Sequence, residues 1–192
     1  MKQLEMKSAS AYNHCVRVAL LAGQFASYLR LPEEDQSLLV QGCYLHDLGK
    51  LLTPSSILLH EGKLTDKEWS IMRLHPDCGG DLVKKLGIQI HPRVMNIIAH
   101  HHERLDGTGY PSRLSGDQIP YLTRICTVID AFDSMMDNRC YRKGMPLSQA
   151  IANLLLHSGS QFDSSVVERF VQFTNDPAFA SMMKKHKLSY AV

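Results

Sequence analysis

Apolar residues recur at helical spacing along almost the whole chain, whereas the alternation that marks a half-buried strand is hard to find. That periodicity points to an all-α fold. The first helix is expected from about Ala11 to Leu29, with Val16, Ala19, Leu20, Ala22 and Phe25 facing inward. It should stop near Leu31-Pro32, because proline disfavours helix in the residue before it. A second begins at Pro32-Glu33-Glu34, whose acids suit a helix's positive end, and carries Leu38, Leu39, Gly42, Leu45 and His46 before Gly49 ends it.

Leu51 to Lys63 reads as a connector, punctuated by Thr53-Pro54-Ser55-Ser56 and Glu61-Gly62. Thr65 and Glu68 have the spacing of a capping box, opening a helix toward Leu74 that resumes through Gly79 to Leu86. Further helices are expected at Pro92–Glu103, Pro120–Asn138, Leu147–Leu156 and Ser164–Phe173, with a Gly-, Pro- and Ser-rich loop from Asp106 to Pro120. The stretch from Met182 to Lys187 is amphipathic and basic, and reads as a solvated terminal helix. No repeat or linker divides the chain, so residues 1–192 are taken as one domain, with 174–192 as a tail.

The 192 residues are 44% apolar, enough for a core that needs neither disulfide nor metal to fold. A net charge of +2 is too small to name a nucleic acid polymer or an anionic membrane as partner. No run of about 18 apolar residues occurs and the opening lacks a signal-peptide core, so the expectation is a soluble, cytoplasmic chain without membrane insertion. The five cysteines include no C-x-x-C pair and read as reduced, buried small hydrophobes.

Ten histidines require an explanation, since neutral imidazole is the commonest protein metal ligand. Four separated segments offer ligands: His46-Asp47, His75, His101-His102 and Asp130. Histidine with carboxylate and without thiolate suits iron, manganese or zinc in a reactive site better than a structural zinc. Neighbours on a helix point about 100° apart, so His46 and Asp47 reach one site only if it lies between their directions. A pair of ions solves that geometry, with Asp47 bridging, His46 and Asp130 serving one ion, and His75, His101 and His102 the other. Two such ions, roughly 3.5–4 Å apart, generate hydroxide at neutral pH and clamp the attacking and leaving oxygens at phosphorus.

Each signal is weak alone, because a single histidine is commonly a hydrogen-bonded structural residue. Asp130 is more pointed: it sits in the apolar run Ile125-Cys126-Thr127-Val128-Ile129, where an unpaired carboxylate is costly and a metal or cationic partner is favoured. Lys50 follows His46 by four residues, on the same face if the helix continues. There it could bind a nonbridging phosphate oxygen, protonate the leaving group, or simply be a surface lysine.

His46-Asp47-Leu48-Gly49-Lys50 resembles the HD-x-GK signature of HD-superfamily phosphohydrolases, and HHERLDGTGYP from His101 to Pro111 resembles the longer signature of the HD-GYP subfamily. Supporting matches are GKLT-x-x-EW at Gly62–Trp69, His75-Pro76 with Gly79, Ile119-Pro120, Asp130 to Asp133, and Arg139-x-Tyr141-Arg142, so that the resemblance covers about residues 10–173. It implies an HD-domain helical bundle with a metal centre at its core, and phosphodiesterase activity on cyclic di-GMP giving linear pGpG and in some members GMP. It implies iron or manganese as cofactor, and as partners a sensory or receiver domain or a diguanylate-cyclase-type protein.

Residue by residue, the resemblance puts metal ligands at His46, Asp47, His75, His101, His102 and Asp130, and Lys50 against the scissile phosphate beside Asp47. It puts His14 where members with three metals add a ligand, and Asp133, Arg139 and Arg142 on the ligand pocket. Tyr110 is expected to stack or hydrogen-bond near the ligand, or to serve partner contacts. Two departures stand out: Cys140 replaces the usual proline of R-P-Y-R, and Ser10 stands where trimetallic members have glutamate. A serine is a poor ligand, so a binuclear centre is expected, with His14 a second-sphere residue or weak ligand. The competing readings are a module that binds cyclic di-GMP or a protein without turnover, and a general nucleotidase, which would explain HD-x-GK but not the GYP signature.

Overall fold

The computed structural model describes residues 1–138 and 143–185, and within them helices and turns surround one apolar core. The chain runs through α1 (Lys2–Lys7), α2 (Ala9–Tyr28), α3 (Glu33–Leu45), a 3-10 turn (Leu48–Leu51), α4 (Ser55–Leu58), α5 (Asp66–Met72) and α6 (His75–Lys85). It continues through α7 (Pro92–His100), a 3-10 turn (Gly116–Gln118), α8 (Tyr121–Met136), α9 (Leu147–Leu156), α10 (Ser164–Thr174) and α11 (Pro177–Lys185). Among the described residues there is no sheet, only the isolated bridges Asp106–Ser115 and Ser158–Phe162. No helix among them is long and apolar enough to cross a membrane.

α8 is the axis of the fold. Its apolar residues point in all directions, and Leu122, Ile125, Cys126, Val128, Ile129, Phe132 and Met136 are all buried, as a helix enclosed by others requires. Phe132 meets Phe170 of α10 at 5.0 Å between centroids, and Phe170 meets Phe25 of α2 edge-on at 5.1 Å. Phe132 lies between Asp130 and Asp133 in sequence, so the aromatic cluster and the two acids occupy different faces of the same stretch of α8.

Several sequence expectations need correction. α2 starts earlier than Ala11 because Ser8 caps it, its side chain accepting the Ala11 amide at 3.2 Å. Its fully buried face is Val18, Leu21, Ala22, Phe25 and Ala26, while Val16, Ala19 and Leu20 are only half-buried. α2 is gripped by both α3 and α8, which centres the buried stripe between them. α3 stops at Leu45 rather than at Gly49, and His46 and Asp47 lie in the turn that follows, Asp47 at φ −95° and ψ 9°. Lys50 therefore sits in a 3-10 turn, not one helical turn above His46. The expected connector contains α4, and α1 was not foreseen. The tail is not solvated throughout: Phe179 and Met182 of α11 are buried against the core, because its apolar face is long enough to reach Phe132 and Phe173.

The capping box is present, with the Thr65 amide donating to Glu68 Oε2 at 2.8 Å and the Glu68 amide to Thr65 Oγ1 at 3.4 Å. Cys15, Cys43, Cys78 and Cys126 are free thiols.

Candidate metal centre

The elements converge on one buried polar cluster. α2 supplies His14, the turn after α3 supplies His46 and Asp47, and the first residue of α6 is His75; the end of α7 brings His101 and His102, and α8 brings Asp130. Leaving α-helical geometry at Asp47 is what lets two consecutive residues face one centre. Asp47 lies in the middle, its Oδ1 3.2 Å from His75 Nε2 and 3.9 Å from His101 Nε2. Its Oδ2 is 3.4 Å from His46 Nε2 and 3.8 Å from His14 Nε2. Two donor groups flank it, His75–His101–His102 and His14–His46–Asp130, each with ligand atoms within 4.8 Å of one another.

The backbone fixes which nitrogen each imidazole presents. His46 Nδ1 lies 2.7 Å from the Cys43 carbonyl, His75 Nδ1 2.8 Å from that of Met72, and His101 Nδ1 3.1 Å from that of Ile98. A carbonyl only accepts, so each Nδ1 carries the proton and each Nε2 offers a lone pair inward. His75 Nε2 and His101 Nε2 then face each other at 3.2 Å with no proton between them. Two lone pairs at that distance repel unless a cation joins them. His46 Nε2 and Asp47 Oδ1 are likewise buried without a hydrogen-bond partner. Divalent ions fit this donor set and satisfy all four atoms.

Protonation states agree with a ligand role. Burial, with His102, His46 and His75 close by, holds His101 well below the usual imidazole range. Burial likewise pushes His102 down to about 3, against the pull of Asp130. Burial alone would raise Asp47, but Lys50 and the surrounding imidazoles outweigh it and keep its carboxyl ionised well below the ordinary range.

His14 differs in kind. Its Nε2 lies 2.9 Å from Asp130 Oδ1 and its Nδ1 2.7 Å from Asp133 Oδ2, so both ring nitrogens donate to carboxylates. Burial opposes its charge, yet the two acids raise its pKa to about 10. Asp133, expected on the ligand pocket, is fully buried and occupied by His14 and by Arg17, whose Nη2 is 2.8 Å away. Asp133 thus presents no surface to a ligand, and its contacts fix His14 instead. Ser10 is exposed one turn before His14.

Lys50 Nζ is 2.5 Å from Asp47 Oδ2 and half-buried beside the centre. Tyr110 stacks on His102, with centroids 4.8 Å apart and planes at 26°. Arg139 and Arg142, and Cys140 between them, lie outside the described residues.

Sequence reasoning passed over three supporting residues. Glu103 is buried, and its carboxylate accepts the amides of Ser112 at 2.6 Å and Leu114 at 3.1 Å, tying the loop back to the histidine pair. An acid directly after two metal-ligand candidates is a usable signal in the sequence. Thr127 donates to the His101 carbonyl at 2.9 Å, and Cys15 brings its sulfur within 4.8 Å of ligand atoms of His46 and Asp47. Neither had a signature in the sequence. Of the loop glycines, Gly107 has φ +76°, whereas Gly109 is needed because a Cβ there would lie 2.4 Å from the Arg104 nitrogen.

An all-helical bundle holding paired histidine and aspartate donors at its centre defines an HD domain, and the family description "HD domain" matches residues 1–166. The chain belongs to this family. It is 34% identical over 169 residues to 3'3'-cGAMP-specific phosphodiesterase 2 of Vibrio cholerae, covering 88% of this chain and 32% of that protein. It is 33% identical over 171 residues to the cyclic di-GMP phosphodiesterase response regulator RpfG of Xanthomonas campestris, covering 89% and 45%. The chain therefore spans less than half of the length of the curated relatives it matches, from 28% to 47%. An HDG"Y"P protein from Bdellovibrio bacteriovorus shares the fold at a TM-score of 0.72 and 22% identity, covering 88% of this chain and 53% of that one.

Proposed function

We propose that the chain is a metal-dependent phosphodiesterase that hydrolyses cyclic di-GMP to linear pGpG, with iron or manganese as the active metal. The observation that carries this reading is the placement of His75, His101 and His102 on one side of the Asp47 carboxylate and of His46 and Asp130 on the other, with the Lys50 ammonium beside it. His75, His101 and His102 would hold one ion, His46 and Asp130 the other, and Asp47 both. Bound ions lower the pKa of water and neutralise charge on phosphoryl oxygens. The names of the relatives support the substrate class, since they act on cyclic di-GMP or 3'3'-cGAMP.

The chain's own residues supply orientation and charge. Asp47 aims Lys50, and although burial disfavours the ammonium, Asp47 outweighs it and raises the lysine pKa. A lysine held in its charged form is a better partner for a nonbridging phosphate oxygen than a proton donor. Lys50→Ala should keep the metals and lower kcat roughly ten- to a hundredfold, the range for a lost charge-assisted contact in the transition state. Loss of metal, or an unchanged rate, would contradict this role.

The decisive assay is hydrolysis by anaerobically purified protein loaded separately with iron, manganese and zinc, with cyclic di-GMP, 3'3'-cGAMP and a deoxynucleoside triphosphate compared. Linear product from cyclic di-GMP with iron or manganese is expected. Binding without turnover in every metal form would instead make the chain a sensor module, and preference for the triphosphate a nucleotidase.

The centre is proposed to be binuclear. A third ion adds about two positive charges and needs a nearby carboxylate. Ser10 supplies none, and His14 already donates to Asp130 and Asp133. Elemental analysis after reconstitution and desalting should give about two equivalents, rising toward three in Ser10→Glu, whose carboxylate lies one turn from His14. Three tightly held equivalents in the parent protein would overturn the assignment.

A further inference from the structure

Arg73 closes α5 and stands two residues before His75, outside every sequence signature. Its guanidinium carbon is 5.4 Å from the Tyr110 ring centroid, and Tyr110 in turn stacks on His102. A continuous contact chain thus runs from the metal centre to an exposed cation at its edge. Among the described residues, two other cations near the centre are engaged: Lys50 pairs with Asp47, and Arg17 with Asp133 and Asp137. Arg73 makes no ion pair among the described residues. The contact with an aromatic ring orients the guanidinium while leaving its in-plane N–H donors open.

A cyclic dinucleotide carries two phosphodiesters, and only one can lie at the reacting position. The other brings a full negative charge that needs a counterion away from the metals. We propose that Arg73, held by Tyr110, binds the non-scissile phosphate and makes the site selective for cyclic dinucleotides over substrates with a single phosphodiester. Arg73 is a substrate-binding residue in this assignment and Tyr110 a positioning one. The inference rests on the cyclic dinucleotide reading above.

The test is steady-state kinetics of the metal-loaded parent, Arg73→Ala, Arg73→Lys and Tyr110→Leu on cyclic di-GMP and on bis(p-nitrophenyl) phosphate, which has one phosphodiester. Arg73→Ala should raise KM for cyclic di-GMP about tenfold, equal to about 1.4 kcal/mol, with kcat within about twofold. Its kinetics on bis(p-nitrophenyl) phosphate should match the parent. Arg73→Lys should recover part of the loss through its charge, and Tyr110→Leu should show a smaller rise in KM than Arg73→Ala. An unchanged KM in Arg73→Ala overturns the inference, as does an equal loss on both substrates, which would place Arg73 in support of the metal centre. A parent protein that cleaves bis(p-nitrophenyl) phosphate but neither binds nor cleaves cyclic di-GMP overturns the proposed function, and this inference with it.

Discussion

Asp47→Asn should abolish turnover and release the metals while leaving the fold intact. The carboxylate reaches both donor groups with one side chain, Oδ1 toward His75 and His101, Oδ2 toward His46 and Lys50. An asparagine keeps the shape but removes the charge, and its amide nitrogen has no lone pair to offer one of the two sides. It also leaves the Lys50 ammonium next to the ions without its counter-charge. The loss in kcat should exceed about a thousandfold, or roughly 4 kcal/mol of transition-state stabilisation. Metal content after desalting should fall below about one equivalent, since a neutral amide does not bridge two cations. Circular dichroism should be unchanged, because asparagine keeps the size of the side chain and the ring contacts among Phe25, Phe132 and Phe170 do not involve Asp47. Full activity with both metals retained would refute the bridging role of Asp47.

The donor residues could be read from the sequence because their chemistry is unusual wherever they occur: adjacent histidines and an aspartate inside an apolar helix are costly without a purpose. Helix identity was legible for the same local reason, since apolar spacing and caps such as Thr65 with Glu68 act within one turn. What escaped depends on the third dimension. The buried face of α2 is set by two partners at once, so its periodicity alone placed Val16, Ala19 and Leu20 too far inward. The end of α3 at Leu45 is dictated by packing of the following turn on α6, which no propensity encodes. Asp133 and Arg73 show the same limit from opposite sides. The first has a pocket-like sequence position and a buried, fully engaged carboxylate; the second has no signature and an exposed cation beside Tyr110.

Gly49 is the residue whose replacement should damage the molecule most per atom added. A Cβ built on it would lie 1.8 Å from the His75 carbonyl oxygen and 2.5 Å from the Gly79 amide nitrogen. Both obstacles are backbone, so no rotamer change relieves them. Gly79 faces it under a milder constraint, its own Cβ meeting the Ile98 side chain at Cγ2 at 2.9 Å and the Gly49 nitrogen at 3.3 Å. The two glycines therefore let the Leu48–Leu51 turn lie directly on α6, which is the contact that brings Lys50 and His75 to one centre. Gly49→Ala must push these segments apart, at the upper end of the cost of overpacking, about 3 kcal/mol. For a chain of this size that corresponds to a fall in Tm of roughly 6–12 °C for the metal-free protein. Turnover should fall below that of Lys50→Ala, because His75 moves together with the lysine. Gly23→Ala is the control: its Cβ would meet Val40 Cγ2 at 3.5 Å, an ordinary contact, in the middle of α2. There alanine should stabilise by about 0.5–1 kcal/mol through helix propensity. Opposite shifts in Tm from the same substitution would locate the requirement for glycine in the approach of two backbones rather than in helix propensity. Equal shifts would show that the Leu48–Leu51 turn is free to move off α6, and the packing account of the HD-x-GK glycine would fail.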